Sequence, residues 1–213
     1  MASHVRRTLV VAAFAAPLSL GLLRHACAEV HLPRDDARAN AIVARARMEV
    51  AREVAYDPSY VRLSFQGERD TGHAIARGGD RDPAHGVCTD VVIRALRAVG
   101  IDLQERVHAD IVARPDAYPN VTAPDANIDQ RRVPNVLTYL RAHAKAVGDD
   151  DWRPGDVVVW AFGSCPRCSA DHIGIVSDRV GPRGRPLVVH NMGPKPTEDD
   201  VVDAWTRLGH FRL

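Results

Sequence analysis

The period of the hydrophobic pattern changes near Gly148, and this change constrains the fold more than any other feature of the sequence. Before it, apolar residues recur at helical spacing, which predicts helices over about 36–56, 89–99, 105–113 and 133–144. After it, short apolar runs divided by Pro and Gly turns predict strands over 156–160, 172–177, 187–191 and 208–213. Helices first and strands second indicate the α+β fold class with an antiparallel sheet.

The first 28 residues have the pattern of a cleaved export signal. Arg6 and Arg7 precede the apolar run TLVVAAFAAPLSLGLL, and Ala26-Cys27-Ala28 places small residues at the spacing that signal peptidase requires. The run is shorter than the roughly 20 residues of a membrane-spanning helix. The alternatives are an uncleaved membrane anchor and a lipoprotein modified at Cys27. The sequence therefore predicts an exported protein, periplasmic or secreted, whose mature part is one domain over residues 29–213 with no integral membrane span.

The charge balance argues against a polyanionic partner. The chain carries 28 basic and 27 acidic residues, and removing the signal takes away arginines but no acidic residue. The mature protein therefore has no electrostatic basis for binding nucleic acid.

Cysteine usage singles out Cys88. In an exported protein, Cys165 and Cys168 are spaced for a local disulfide, which leaves Cys88 as an unpaired thiol. Cys88 begins the second predicted helix on its core-facing side, where a helix N-terminus stabilises a thiolate. This placement predicts a nucleophile, and the alternative is a small buried cysteine that fills the core. For the other two cysteines, a redox pair and a structural zinc site are the alternatives; zinc would need two more ligands, and only Asp171 and His172 are adjacent. We expect no metal and no cofactor.

Two histidines are candidates for the base that a thiol nucleophile needs. His172 begins one predicted strand and His190 ends the next, with a Gly-Pro-Arg-Gly turn between them. In a hairpin they would be cross-strand neighbours, in a register uncertain by about two or three residues, and Gly174 would leave room beside the imidazole. Asn191 is the rival of His190 for orienting His172, because its amide oxygen can accept the same hydrogen bond and adjacent strand residues point to opposite faces.

Five segments in this order, GVCTDVVIRALRAVGIDLQ, NIDQRRVPN, DWRPGDVVVW, HIGIVSD and VVHNMG, closely resemble the bacterial family known as domain of unknown function 1287. That family is placed among the NlpC/P60-like (papain-like) cysteine peptidases and amidases. The resemblance covers about residue 40 to the C-terminus. It implies an NlpC/P60-like fold, a helix packed on an antiparallel sheet, and the catalytic order Cys88, His172 and His190. The implied activity is hydrolysis of an amide bond by the thiol.

The expected substrate is an amide bond in the peptide part of peptidoglycan, because export and the family analogy both point there. A thiol acyltransferase or esterase with the same triad, and a non-catalytic cell-wall binding module, are the alternatives. If the protein acts on a competitor's wall, a cognate inhibitor would be expected.

A set of polar residues is expected to line the substrate cleft, with an arginine guanidinium binding a substrate carboxylate through two N–H groups. Alternatively, these residues have ordinary structural roles: they form turns, interact with a helix dipole from its first turn, or are simply exposed to solvent. The set is Asp90, Asn127, Asp129, Arg131, Arg132 and Asn191.

Overall fold

The computed structural model describes residues 34–63, 79–163, 165 and 168–213, and the predicted export signal lies outside this range. Its four α-helices are α1 (Arg34–Ala51), α2 (Cys88–Arg97), α3 (Leu103–Ala113) and α4 (Val133–His143). Two single 3-10 turns, Pro115–Ala117 and Asp129–Arg131, lie between α3 and α4. Over the described residues, no helix combines the length and apolarity needed to cross a membrane.

The strands form one large sheet and one small one. The two-residue strands β1 (Ala55–Tyr56) and β2 (His85–Gly86) pair in parallel. The larger sheet is antiparallel throughout, in the order β3-β8-β4-β5-β6-β7. Its strands are β3 (Lys145–Ala146), β4 (Val157–Ala161), β5 (His172–Val180), β6 (Pro186–His190), β7 (Thr197–Asp199) and β8 (Thr206–Arg212). The α+β class and the antiparallel sheet are thus confirmed, whereas β1, β2, β3 and β7 are too short to give a periodic signal.

Strand alternation divides the buried residues between two faces of the large sheet. On one face, Val157, Val159, Ile173 and Ile175 pack with all four helices in the main core. The opposite face carries a smaller apolar cluster of Val158, Trp160, Val176, Val188 and Val202. The helices therefore cover a single face, and residues of opposite parity on β5 and β6 lie on the other.

The end of α1 differs from the prediction. The helix was expected to continue to about residue 56 but ends at Ala51, because Glu53 has a φ of 51°, the left-handed conformation that terminates helices. The chain then extends, and Tyr56 joins β1. This correction matters because it brings Tyr56 beside the start of α2 rather than onto a helix surface.

A side-chain contact ties α1 to the far edge of the sheet. The guanidinium of Arg47 donates to Glu198 of β7 at 2.6 and 3.0 Å, and it also binds Ser177 at 2.8 Å. Glu198 is largely buried, so its charge needs this partner. The contact holds β7 in place beside β6, the strand that ends at His190.

Candidate active site

Cys88 is the first residue of α2 and lies at the base of an open cleft. The carboxylate of Asp90 accepts a hydrogen bond from the backbone N–H of Val87 at 2.8 Å and so holds the turn that leads into the helix. The thiol is 7% exposed and is the free one among the described cysteines. The backbone N–H of Ile173, near the start of β5, is close enough to the sulfur to favour its charged form.

Burial decides the protonation state of this thiol. Removal from water, and then the nearby Asp90 carboxylate, raise the pKa of Cys88 to about 12. Hydrogen bonds from the backbone N–H groups of Ile173 and Thr89 act in the opposite direction but are weaker. The expectation that the helix N-terminus would stabilise a thiolate is therefore outweighed in the resting protein, and Cys88 is a neutral thiol at neutral pH.

His172 and His190 form a buried hydrogen-bonded pair. Nε2 of His172 lies 2.9 Å from Nδ1 of His190, and the two residues are 2% and 3% exposed. Burial, and then the neighbouring His190, lower the pKa of His172 to about 3, and burial also lowers the pKa of His190. Both imidazoles are therefore neutral at neutral pH. Three aromatic rings lie within 6 Å of the His172 ring centroid, those of Trp160, Phe162 and Trp205.

The β5–β6 register explains how the two rings meet. Ile175 pairs with Val189, which shifts the hairpin by two residues from the predicted register and sets His190 opposite Gly174 rather than His172. A Cβ on Gly174 would lie 2.5 Å from Cγ1 of Val188 and 3.2 Å from Cβ of His190. A glycine is therefore required there, and the two histidines are diagonal neighbours on one face.

The thiol and the imidazole pair reach the start of β5 from opposite faces of the sheet. Cys88 belongs to the main core on the helical face, whereas His172 shares the opposite face with Trp160. The electrostatic influence on the sulfur from this strand comes from the backbone N–H of Ile173, the residue that follows His172. Nδ1 of His172 makes no hydrogen bond within the described part of the chain, and no hydrogen bond joins the ring to the sulfur. The two histidines are therefore hydrogen-bonded to each other, and the residue that links them to the Cys88 sulfur is Ile173, through its backbone N–H.

Asn191 does not take the place of His190. Its side chain donates to the carbonyl oxygen of Gly86 at 3.3 Å and accepts from the backbone N–H of Gly193 at 3.0 Å. Asn191 thereby anchors the segment just before Cys88, while His190 faces His172.

The cleft beside Cys88 has a volume of about 350 Å³. Of the six residues expected to bind substrate, Arg131 and Arg132 line it. Both terminal nitrogens of Arg131 donate to backbone carbonyls, of Ser59 and Asp57, at 2.8 Å, and its Nε lies 3.4 Å from Asp90. These contacts occupy the guanidinium N–H groups that were expected to bind a substrate carboxylate. Arg132 is exposed and forms no ion pair with any described residue, so it is the cleft arginine free to bind an anion.

Asn127 and Asp129 lie outside the lining of the cleft and serve the local structure. The amide oxygen of Asn127 accepts from the backbone N–H of Leu63 at 2.9 Å. Asp129 is 2% exposed and accepts from His108 at 2.7 Å and from the backbone N–H of Asp125 at 2.9 Å. Their turn-forming roles, the alternative raised by the sequence, are the ones the structure displays.

A disulfide joins Cys165 and Cys168 in the loop between β4 and β5. Ser169, Ala170 and Asp171 follow it and line the cleft. The bridge therefore constrains the segment that leads directly to His172. Within the described residues, no group of three or more His, Cys, Asp or Glu side chains is arranged to hold a metal ion.

Comparison with protein families matches residues 43–213 to the family described as "Domain of unknown function (DUF1287)". The chain belongs to this family. It is 39% identical over 179 residues to "Uncharacterized protein YijF" of Escherichia coli (strain K12), a match that covers 81% of this chain and 80% of that protein. Neither description names an activity for the family or for this relative.

Sequence reasoning missed two residues of this DUF1287 site. Tyr56 lines the cleft, and burial followed by the proximity of Cys88 raises its pKa. It belongs to a two-residue strand at the end of a predicted helix, so no periodicity marked it. Asp199 lies 3.5 Å from Nε2 of His190. It is one of three consecutive acidic residues in the sequence, and only strand pairing distinguishes it from its neighbours.

Proposed function

We propose that this chain is an exported thiol hydrolase of NlpC/P60-like (papain-like) fold that cleaves an amide bond with Cys88, His172 and His190. The observation that carries the proposal is the buried hydrogen bond between the two histidines. Asn191, the residue after His190, binds the carbonyl of Gly86 and so ties this strand end to the segment before Cys88. Burying two titratable rings costs free energy that apolar side chains would avoid. A base held in one orientation near a thiol is a use that justifies this cost.

The hydrogen bond assigns the nitrogen that acts as base. Nε2 of His172 is engaged by His190, which leaves Nδ1 for the thiol. Because the resting thiol and imidazole are both neutral, His172 accepts the thiol proton as the sulfur attacks rather than beforehand. No hydrogen bond joins the Cys88 sulfur to the His172 ring in the resting protein, so a movement that brings the thiol to Nδ1 must precede attack, because catalytic hydrogen bonds often form only in the substrate complex.

The reaction then follows the usual order of nucleophilic acyl transfer. The sulfur forms a bond to the amide carbonyl carbon, and the proton on Nδ1 of His172 passes to the leaving nitrogen as the C–N bond breaks. Water attacks the resulting thioester and gives a proton to His172. The carbon–sulfur bond breaks, the carboxylic acid leaves, and the thiol regains its proton. Backbone N–H groups at the start of α2 and the hydroxyl of Tyr56 are the donors available to the developing oxyanion.

The substrate that we propose is the peptide part of peptidoglycan. Support comes from the predicted export and from the form of the cleft, which is open and carries the unpaired guanidinium of Arg132 beside Cys88. A peptide with a carboxylate near the cleaved amide would suit this charge. The disulfide does not enter the chemistry and stiffens the loop before His172.

The test is mass spectrometry of fragments released from purified sacculi by the mature protein. We expect new peptide termini with the wild type and with a Cys165→Ser/Cys168→Ser double variant, and none with Cys88→Ala. Equal release by Cys88→Ala would overturn the hydrolase. Loss of release in the double serine variant, with its fold intact, would favour a redox role for the cysteine pair.

A further inference from the structure

The carboxylate of Asp199 lies beside the outer nitrogen of the histidine pair. Nε2 of His190 is buried and has no hydrogen-bond partner by strict geometry. Oδ2 of Asp199 lies 3.5 Å away, and this is the one contact of that carboxylate with a described side chain. We propose that Asp199 is a positioning residue that holds His190, and through it His172, in the tautomer that the thiol chemistry requires.

Strand pairing places Asp199 on the correct face. Asp199 is opposite Val188, and Thr197 is opposite His190, so Asp199 and His190 share a face of the sheet. Glu198 has the opposite parity and is bound by Arg47 of α1. Glu198 therefore fixes β7 on the helical side, while Asp199 extends toward the histidines on the other.

The protonation of the chain of rings follows from one requirement. To accept the thiol proton, Nδ1 of His172 must be bare, so its Nε2 carries the hydrogen and donates to Nδ1 of His190. Nδ1 of His190 is then an acceptor, and Nε2 of that ring must carry the second hydrogen. That N–H needs an acceptor, and the carboxylate of Asp199 is placed to provide it.

The exposure of Asp199 suits this role. Its side chain is 50% exposed, so the carboxylate keeps its charge at little cost while one oxygen reaches the buried ring. When His172 becomes protonated during catalysis, the negative charge stabilises the imidazolium through His190. No proton needs to move along the relay.

The catalytic consequence rests on the proposed function, but the tautomers can be measured without any substrate. Long-range ¹H–¹⁵N correlation spectra of the ¹⁵N-labelled mature protein report which ring nitrogen carries hydrogen. Single glutamine variants at His172 and His190 assign the signals. We expect the Nε2–H tautomer for both rings at pH 7 in the wild type.

In Asp199→Ala, the signals of His190, and with them those of His172, should move toward the other tautomer. Asp200→Ala is the matched control, because Asp200 is the next residue and binds Arg183 instead. Asp199→Glu should restore the wild-type pattern in part. An Nδ1–H tautomer of His190 in the wild type, or unchanged spectra in Asp199→Ala, would overturn the relay.

Kinetics add a second readout once a released bond is known. Asp199→Ala should lower kcat by about tenfold or more with little change in KM, as loss of an orienting partner does elsewhere. Tautomers that respond to Asp199 without any hydrolysis by the wild type would refute the hydrolase and leave the relay intact. Hydrolysis with unresponsive tautomers would refute the relay alone.

Discussion

At the scale of single residues, burial dominates the electrostatics of the site. Raising the thiol pKa of Cys88 from its usual value to about 12 corresponds to roughly 4 kcal/mol against the thiolate. A helix N-terminus contributes about 0.3–2 kcal/mol in its favour. The position at the start of α2 therefore provides N–H groups near the thiol, and in the proposed mechanism the activation comes from His172.

The buried histidines should make the free energy of unfolding depend on pH near and below pH 6.5. The pKa of His172 is lowered to about 3, so protonation favours the unfolded chain, and stability is lost as pH falls below about 6.5. The loss from His172 amounts to at most about 1.4 kcal/mol per pH unit. Urea denaturation at pH 7.5, 6.0 and 5.0 should show a shallower dependence in His172→Gln than in the wild type. Parallel stability profiles for the two proteins would contradict the buried neutral imidazole.

At the scale of elements, the β5–β6 hairpin sets the geometry of the histidine pair. The sequence identified both strands and the turn between them, and the register differed from the prediction by two residues. Because a two-residue shift preserves the face of each side chain, the histidines still meet. A shift by one would have turned His190 away and presented Asn191.

The hairpin should not tolerate a side chain at Gly174. A Cβ there would lie 2.5 Å from Val188 and close to His190, so Gly174→Ala should cost about 1–3 kcal/mol in unfolding free energy. It should also displace His190 and reduce peptide release from sacculi. Gly148→Ala is the control, because a Cβ at Gly148 meets open space and its stability should stay within about 0.5 kcal/mol of the wild type. If Gly174→Ala were as stable as the wild type, the close contact between β5 and β6 at this position would be contradicted.

At the scale of the whole molecule, the candidate site draws on both faces of the sheet, because Cys88 lies with the helices on one face and the histidine pair lies on the other. Cys88 comes from the helical layer, and the histidines come from the strands. The cleft opens between Tyr56, Arg132 and the loop that follows the disulfide.

Export is the property of the whole chain that most affects the proposed substrate. We predict that protein recovered from the host periplasm or medium begins at Glu29, after cleavage behind Ala28. Intact-mass measurement would show this directly. A protein that retains residues 1–28, or that carries lipid on Cys27, would refute signal-peptidase cleavage and support the anchored alternatives.

The sequence by itself determined the α+β class with its antiparallel sheet and the α2 and β5–β6 elements, and it selected Cys88, His172 and His190 as candidates. Periodicity and turn residues are local properties, and the long strands and helices express them directly. Only the tertiary structure decided that Arg131 is occupied by backbone carbonyls, that Asn191 anchors Gly86, and that Asp199 reaches His190. These contacts join residues far apart in the chain, or on strands too short for a pattern. The sequence likewise could not decide whether Cys88 is a thiol or a thiolate, because its pKa depends on how completely the tertiary packing excludes water from the sulfur.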